Sequence, residues 1–171
     1  MEETREQADQ HHPFELRDAC DGDLPFLFSL YCDVRSPEVN AWGWAAIQRD
    51  AFLRMQFDAQ RRSYQAAYPQ ATHHIVCLGG VPIGRRLVAA TPEGIRLVDI
   101  ALLDAYRNRG IGTRLIQQLV DESAAGSVAL SLQVLRGNPA QRLYERMGFI
   151  ETGADAMYIT MQWTAGGARS A

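Results

Sequence analysis

The sequence predicts a single α/β domain, built on one mixed and mostly antiparallel sheet of about seven strands with helices on both faces. Apolar residues make up 47% of the 171 residues, and a chain of this length suffices for the core of one domain but is short for two. Three strand-like segments follow one another between residues 75 and 103, which indicates an antiparallel meander instead of alternating strand and helix units. Segments with the apolar spacing of helices precede and follow this meander.

The domain itself is expected to span residues 13–163. Residues 1–12 are polar, without the apolar core of a signal peptide, and are interpreted as a flexible lead. Residues 164–171 are mostly small and are interpreted as a flexible tail. No segment approaches the ~20 apolar residues that a membrane helix needs. Three widely spaced cysteines are typical of reduced structural thiols, so we expect a cytoplasmic protein with no membrane partner.

The first half of the chain is predicted to contain one strand and two helices. Residues 14–17 have the pattern of a short strand, and either Asp21 or Asp23 is suited to cap the helix that follows. A second helix is expected between residues 41 and 67, and Pro69 ends it. Its apolar residues recur at helical spacing, at Trp44, Ile47, Ala51 and Met55.

The second half is predicted to contain three strands in succession, an amphipathic helix, a strand, a short helix and two final strands. The dipeptide Gly79-Gly80 is a hairpin signal between the first two of these strands. In chain order the eight elements are residues 75–78, 81–90, 95–103, 110–124, 128–134, 139–147, 149–150 and 157–163.

The charged residues argue against several functions. The net charge is −3, which lacks the basic excess of a protein that binds nucleic acid. The chain contains no lysine. Schiff-base chemistry on a lysine and a Walker-type phosphate lysine are therefore excluded. His11 and His12 have no further ligands near them in the sequence, and no metal site is predicted.

The most informative motif follows the third strand of the meander. The segment from Arg107 to Gly112 reads Arg-Asn-Arg-Gly-Ile-Gly and opens the amphipathic helix. Unpaired N–H groups at a helix start point outward along a favourable dipole, and glycines let a large anion approach them. With positive charge supplied by Arg107 and Arg109, this indicates a cradle for a pyrophosphate group. The glycines by themselves would equally suit a plain turn.

The second motif contains the short helix. Asn138 is suited to cap it, with Pro139 at the first helical position and Gln141 completing a capping box. Gly148 suits the left-handed position that ends a helix. These folding signals leave Tyr144 unexplained, and on the residues alone both simple packing and a chemical role stay open.

The two motifs and their separation resemble those of the GNAT acetyltransferase family. The first motif matches the family's Arg/Gln-x-x-Gly-x-Gly/Ala loop. The second matches its Asn-x-x-Ala-x-x-Leu-Tyr-x-x-x-Gly-Phe region at Asn138, Leu143, Tyr144, Gly148 and Phe149. Ala140 stands one place earlier than the family's alanine. The resemblance extends from about residue 75 to residue 163, and before residue 72 it is limited to the order of helices and strands.

This resemblance implies acetyl-coenzyme A as cosubstrate, no metal, and direct transfer of the acetyl group to a primary amine in a ternary complex. In similar proteins the strands that here end near Leu103 and Val134 splay apart, and the pantetheine arm lies between them. Backbone groups there pair with the arm and polarise the thioester carbonyl. The residues expected to contact the coenzyme are Leu102, Leu103, Arg107, Asn108, Arg109, Gly110, Ile111, Gly112, Thr113 and Asn138.

Two residues are candidates for proton transfer. The resemblance implies that Tyr144 protonates the leaving thiolate, and the ordinary pKa values of phenols and thiols, near ~10 and ~8.5, make such a transfer close to balanced. Asp99 lies in the strand that would line the cleft, with Val98 and Ile100 facing the other side by alternation. It is the candidate base for the amine, although an ion pair with an arginine would explain it equally well. Glu93, in a turn, is a weaker candidate.

The acceptor is expected to be a small-molecule or peptide amine. In similar proteins the second helix often walls the acceptor cleft, where the polar stripe of Gln56, Gln60 and Tyr64 would lie, and a solvated face is the competing interpretation. Trp42 and Trp44 either cover an apolar pocket or hold the helix in place. The resemblance also makes a homodimer an open expectation.

Three other functions compete with this interpretation. A non-catalytic acyl-CoA-binding regulatory module would keep the loop but lose the proton-transfer group, and the presence of Tyr144 argues against it. A toxin that acetylates charged transfer RNA is disfavoured because the sequence has no basic patch. A phosphate binder without acyl chemistry is disfavoured by the second motif.

Overall fold

The computed structural model describes residues 14–166. The predicted domain start at residue 13, the histidine pair and residues 167–171 lie outside the described range. The strands are β1 (Glu15–Asp18), β2 (Thr72–Leu78), β3 (Val81–Thr91), β4 (Gly94–Leu102), β5 (Ala129–Leu135), β6 (Ile150–Ala154) and β7 (Tyr158–Trp163). The helices are α1 (Leu24–Asn40), α2 (Ala46–Ala67), α3 (Ile111–Gly126) and α4 (Ala140–Arg146).

The seven strands form one sheet in the order β1-β2-β3-β4-β5-β7-β6. All neighbouring strands are antiparallel except the central pair β4 and β5, which is parallel. The predicted mixed, mostly antiparallel sheet of about seven strands is therefore confirmed, and so is the meander from β2 to β4.

Helices cover both faces of the sheet, as predicted. On one face Leu27 of α1 and Phe57 of α2 pack against Ile75. On the other face Leu115 of α3 packs against Val76, which neighbours Ile75 on β2 and therefore points to the opposite side. A third cluster joins α3, β5, β7 and α4 and includes Tyr144.

The predicted apolar stripe of α2 is wrong in its register. Trp44, Ile47 and Met55 are exposed, with Ile47 leaving 85% of its surface in solvent, while Leu53 and Phe57 are the buried residues of the helix. Two sets of apolar residues share this helix, and only the second meets α1 and the sheet. Burial of the Phe57 ring against Phe28 and Tyr31 decides which face turns inward.

Asp23 occupies the N-cap position of α1, as one of the two predicted candidates. Its side chain makes no hydrogen bond to that helix. The carboxylate of Asp23 instead accepts hydrogen bonds from the Arg17 guanidinium at 2.6 and 2.8 Å and from the backbone N–H of Cys20 at 2.8 Å. These bonds hold the pKa of Asp23 far below its ordinary value. Asp23 therefore ties β1 to the short turn at Asp21–Asp23 that leads into α1.

Cys20, Cys32 and Cys77 are free thiols. Within residues 14–166, no cluster of three metal-ligating side chains occurs, and no helix is both long and apolar enough to cross a membrane.

Candidate active site

A wedge opens in the centre of the sheet, between the two parallel strands. β4 and β5 are paired only where Gly94–Leu97 faces Ala129–Leu132. Beyond that point β4 follows β3 to Leu102, and β5 follows β7 to Leu135, so the strands diverge. A bulge explains the change in direction: Leu97 and Asp99 face consecutive residues of β3, and Val98 is the extra residue between them. The wedge is thus built into β4.

The edge of β4 presents a specific set of backbone groups to this wedge. The N–H of Leu103 donates to Ile83 on β3 at 2.9 Å, and its carbonyl accepts from Tyr106. Because successive residues of a strand point their backbone groups to opposite edges, Leu102 and Ile100 face the wedge instead. Of the two leucines predicted to pair with the coenzyme, Leu102 presents its backbone to the wedge and Leu103 does not.

The loop between β4 and α3 leaves a row of N–H groups without acceptors. The first intrahelical bond of α3 runs from the Arg114 N–H to the Gly110 carbonyl at 3.1 Å. Across the described residues, the backbone N–H groups of 108–113 have no hydrogen-bond acceptor. Asn108 and Gly110 have φ angles of +58° and +75°, and such left-handed positions turn consecutive N–H groups toward one side. The loop has the geometry of an anion-binding nest.

Gly110 keeps this nest open. A Cβ atom placed on it would meet no protein atom within 4 Å, so space lies in front of the loop. The predicted residues of the first α3 turn, Ile111, Gly112 and Thr113, contribute N–H groups to the same row. Helix α3 is 16 residues long, and its dipole adds positive potential at this end.

The two arginines of the loop differ in what they offer a ligand. Arg109 is exposed, with its guanidinium 5.6 Å from the ring centroid of Tyr106. The guanidinium of Arg107 turns back and donates to the Leu102 carbonyl at 2.9 Å and to Asp33 of α1 at 3.3 Å. The guanidinium of Arg107, which was predicted to flank a bound pyrophosphate, therefore makes its hydrogen bonds within the protein. These bonds hold the loop to β4 and α1.

The short helix α4 stands at the other side of the wedge. The side-chain oxygen of Asn138 accepts from the Ala140 N–H at 2.9 Å, so the predicted side-chain bond to the start of the helix is present. The N-cap position itself is taken by Pro139, so both residues lie one place earlier relative to the helix than predicted. Gln141 bonds to Glu145 at 2.9 Å instead of closing a capping box. Gly148 ends the helix with a φ of +90°, as predicted.

Tyr144 of α4 is buried in the cluster shared by α3, β5 and β7. Its ring lies 5.7 Å from that of Phe149, and within the described residues its hydroxyl has no hydrogen-bond partner. Burial raises the pKa of Tyr144 to about 12, and the negative charge of Asp99 adds to the shift. The phenol therefore stays protonated at neutral pH, and its hydroxyl is close enough to Asp99 to interact electrostatically.

Asp99 is held by Arg85 of β3. One oxygen of the carboxylate accepts from both Nε and an NH₂ group of the guanidinium, with the Nε bond at 2.6 Å. Arg85 is buried, at 6% exposure, and Asp99 keeps 23% of its side chain exposed. Ile100 faces the α3 side, as alternation predicts. The ion pair that the sequence left open as an alternative is present in the structure.

The polar stripe of α2 reaches the same group of charges. The Gln60 side-chain oxygen accepts from Arg85 at 3.0 Å, and the Tyr64 ring centroid lies 5.7 Å from the guanidinium carbon. Burial raises the pKa of Tyr64 well above its ordinary value, and the charge of Asp99 adds to this shift. Gln60 and Tyr64 therefore form a wall beside Asp99, and the solvated-face interpretation is wrong for them.

Arg85 itself was missed by the sequence reasoning. Its signal is present: two adjacent arginines interrupt an apolar strand pattern at positions 85 and 86. Both are buried, on opposite faces of β3, where Arg86 donates to the Leu115 carbonyl and to Gln118 of α3. A buried charge requires a partner, so such a pair predicts an ionic contact on at least one face.

Comparison with known proteins decides the family. A family model described as "Acetyltransferase (GNAT) family" matches residues 39–149, which include the wedge, the loop and α4. The chain belongs to the GNAT acetyltransferase family. A search of curated protein sequences finds no significant match to this GNAT chain.

Solved structures share the GNAT fold at low sequence identity. PaiA N-acetyltransferase from Thermoplasma acidophilum, in complex with coenzyme A, is 15% identical and has a TM-score of 0.67, covering 89% of this chain and 99% of its own. An acetyltransferase from Thermus thermophilus is 17% identical with a TM-score of 0.65, covering 91% and 99%. A GCN5-related N-acetyltransferase from Rhodopseudomonas palustris is 17% identical with a TM-score of 0.63, and the match covers 91% of this chain and 99% of that protein. At these identities the likeness establishes the fold.

The GNAT family model leaves out most of α1. Its match starts at residue 39, so residues 24–38, which pack on α2, lie outside it. All of α2 lies within the match.

Proposed function

We propose that the protein is an acetyl-CoA-dependent N-acetyltransferase that moves the acetyl group directly to a primary amine in a ternary complex. The observation that carries the proposal is that β4, which leaves β5 to open the wedge, leads directly into the nest of free N–H groups at residues 108–113. A pantetheine arm needs unpaired strand edges, and a pyrophosphate needs converging N–H donors. The coenzyme A complex of the Thermoplasma relative supports the same ligand class.

The coenzyme would be held mainly by the backbone. The N–H groups of Asn108 to Thr113 would donate to the pyrophosphate, with Arg109 as the remaining mobile charge. The backbone of Leu102 and Ile100 would pair with the arm along the edge of β4. The amide NH₂ of Asn138 is free of partners among the described residues and would donate from the opposite side. Tight binding of this kind depends on the loop conformation more than on any one side chain.

Tyr144 would stabilise the leaving thiolate. A phenol with a pKa of about 12 is a weaker acid than a thiol near ~8.5, so complete proton transfer to a free thiolate is uphill. The hydroxyl is therefore better suited to donate a hydrogen bond that strengthens as the carbon–sulfur bond breaks, with the proton moving in concert. The proposed role differs from the balanced proton transfer expected from the ordinary pKa values. Tyr144 is still the residue proposed to act on the sulfur.

Asp99 would receive the amine. Its oxygen held by Arg85 is occupied, and its other oxygen faces no donor in the described part of the chain. That free oxygen can accept a hydrogen bond from the incoming ammonium and pass one proton to water. Arg85, Gln60 and Tyr64 would fix the carboxylate in place, so that the amine arrives at the mouth of the wedge.

A non-catalytic acyl-CoA-binding module is the alternative. Tyr144 is buried in the cluster that includes β5, and Asp99 on β4 is fixed by Arg85, which favours an enzyme, because a module that only binds the coenzyme has no need of either group. A cytoplasmic location and a homodimer stay predictions.

The proposal is tested by thermal unfolding with ligands. Acetyl-CoA that binds only the folded protein stabilises it by ~2.7 kcal/mol at a hundredfold excess over its dissociation constant. We expect a clear rise in melting temperature with acetyl-CoA at about millimolar concentration, and none with pantetheine, which lacks the pyrophosphate. An unchanged melting temperature with acetyl-CoA contradicts the proposal.

A further inference from the structure

A cavity lies between α1 and α2. Its volume is about 380 Å³, which is in the range of small-ligand sites. Tyr31, Val39, Trp42, Phe52, Leu53 and Gln56 line it together with one charged pair. Its wall is therefore largely apolar and aromatic, unlike the ionic group around Asp99.

The cavity lies on the same helix as the polar wall of the proposed reaction centre. Gln56, which lines the cavity, is one helical turn from Gln60, which bonds to Arg85 beside Asp99. Phe52, which also lines it, is eight residues from Gln60, or ~12 Å along the helix axis. A molecule bound in the cavity with one end at Asp99 must therefore be elongated.

The cavity holds one charged pair. Arg35 donates to Glu38 at 2.8 Å, and its guanidinium lies 5.8 Å from the ring centroid of Tyr31. Both side chains are exposed, at 39% and 61%, so water screens their charges. The other residues that line the cavity are apolar or aromatic except for Gln56, and they favour an occupant whose far end is apolar.

The outer wall is built from aromatic rings that project from the connection between the helices. Trp42 lies 5.5 Å from Phe52, and both line the cavity. Trp44 also lies 5.2 Å from Phe52 but does not line it. Trp42 and Trp44 are 49% and 44% exposed, so half of each ring remains available to a ligand or to solvent. A flat apolar group is the partner that such a wall stabilises.

We propose, resting on the acetyltransferase function above, that the acceptor is an elongated primary amine with an apolar or aromatic far end, bound between α1 and α2. The ammonium lies at the free oxygen of Asp99, and the far end stacks on Trp42 and Phe52. Polyamines and free amino acids fit less well, because their additional charges would enter a cavity lined mainly by apolar and aromatic side chains.

The test measures acetyl-CoA-dependent thiol release with phenylalkylamines of increasing chain length, spermidine and glycine. We expect kcat/KM to rise with chain length among the phenylalkylamines and to exceed the values for spermidine and glycine. Trp42→Ala should raise KM for the longest phenylalkylamine about tenfold, the effect of losing one aromatic contact. Trp44→Ala is the matched control and should leave that KM within about twofold. Both tryptophans are half exposed, so both variants should fold, which melting temperatures check.

The outcomes separate this inference from the function on which it rests. Preference for spermidine or glycine, or equal KM changes in the two tryptophan variants, would overturn the inference and leave the acetyltransferase standing. Absence of thiol release with every amine, in a protein that is stabilised by acetyl-CoA, would overturn both and favour the binding module.

Discussion

Two nitrogen atoms of the Arg85 guanidinium donate hydrogen bonds to one oxygen of Asp99, at the point where β4 leaves β5. The bulge at Val98 makes this contact possible, because it returns the strand to the face occupied by α2 after Leu97 has packed on the other face. The pair therefore connects three features: the wedge, the second helix and the proposed amine site. Its removal should affect stability and chemistry separately.

Arg85→Gln should destabilise the protein by about 3 kcal/mol, because it leaves Asp99 partly buried without its counter-ion. Asp99→Asn alone should cost at least as much, since it leaves the guanidinium of Arg85, the more deeply buried of the two charges, without a counter-ion. The double variant should be more stable than Arg85→Gln alone. Denaturant unfolding of the wild type, the two single variants and the double variant gives the coupling free energy between the two residues. If the two single effects simply add up in the double variant, the ion pair does not contribute to stability.

Tyr144→Phe should lower turnover by ~10²-fold, the usual effect of removing one donor to a developing negative charge. Coenzyme affinity should change little, because that charge appears only as the bond to sulfur breaks. Melting temperature should hold, since the hydroxyl has no hydrogen-bond partner among the described residues and the ring continues to pack on Phe149. Steady-state kinetics together with acetyl-CoA titration measure both quantities.

Turnover close to that of the wild-type protein would make Tyr144 a packing residue only. A joint loss of stability and coenzyme binding would instead indicate that the hydroxyl has a structural partner, where an orphaned group costs ~1–3 kcal/mol.

Gly110→Asp should weaken acetyl-CoA binding more than Arg109→Ala. The aspartate places a side chain and a negative charge in the open space before the nest, at a φ of +75° that disfavours any residue with a Cβ. Arg109 is exposed, so solvent and salt screen its charge and its loss costs less. Gly110→Ala separates strain from charge. Calorimetric titration that returned one dissociation constant for the aspartate and Arg109→Ala variants would contradict the nest.

The protein should lose stability as the pH falls through the range in which histidine ordinarily titrates. Burial lowers the pKa of both His73 and His74, and the charges of Arg85 and Arg86 lower them further. The unfolded chain therefore binds protons near pH ~6.5 that the folded chain does not. The stability that the two neutral histidines contribute is fully present above pH ~6.5, and it is lost as the pH falls through their lowered pKa values in the folded protein.

Urea unfolding at about pH 7.5 and about pH 5.5 measures this loss, and His73→Gln with His74→Gln should reduce it. The side-chain atoms Nε2 of His73 and Nδ1 of His74 are buried without partners in the described part of the chain, so glutamine removes these proton acceptors at the cost of one contact, that of His74 Nε2 with Asp18 at 3.7 Å. An equal pH effect in the double variant would assign the loss to other groups.

Most of the fold could be predicted from local signals. The glycine turns marked the meander, and the spacing of α3 marked a helix that the structure buries along Leu115, Ile116 and Leu119. The register of α2 could not be predicted, because its two apolar sets are equivalent until α1 selects Leu53 and Phe57. The bulge at Val98 also left no local signal, since it depends on the pairing of β4 with two neighbours.

The site was predictable to the extent that its residues are close in sequence. The loop at residues 107–112 and the helix of Tyr144 were recognised because each folds locally. Arg85 was missed, because its partner Asp99 is fourteen residues away and Gln60 lies on another layer of the fold. Arg107 has its charge turned inward by Asp33, a residue that only the packing of α1 brings near.

The central claim is that an amine takes the acetyl group directly within the ternary complex. The most direct measurement follows free thiol from acetyl-CoA and the mass of the amine in the same reaction, while both substrates are varied. The account predicts that thiol appears with an equal amount of acetylated amine, that initial-rate lines intersect, and that the protein itself carries no acetyl group at any stage. Parallel lines with an acetylated protein, or thiol release without an acetylated amine, would contradict it.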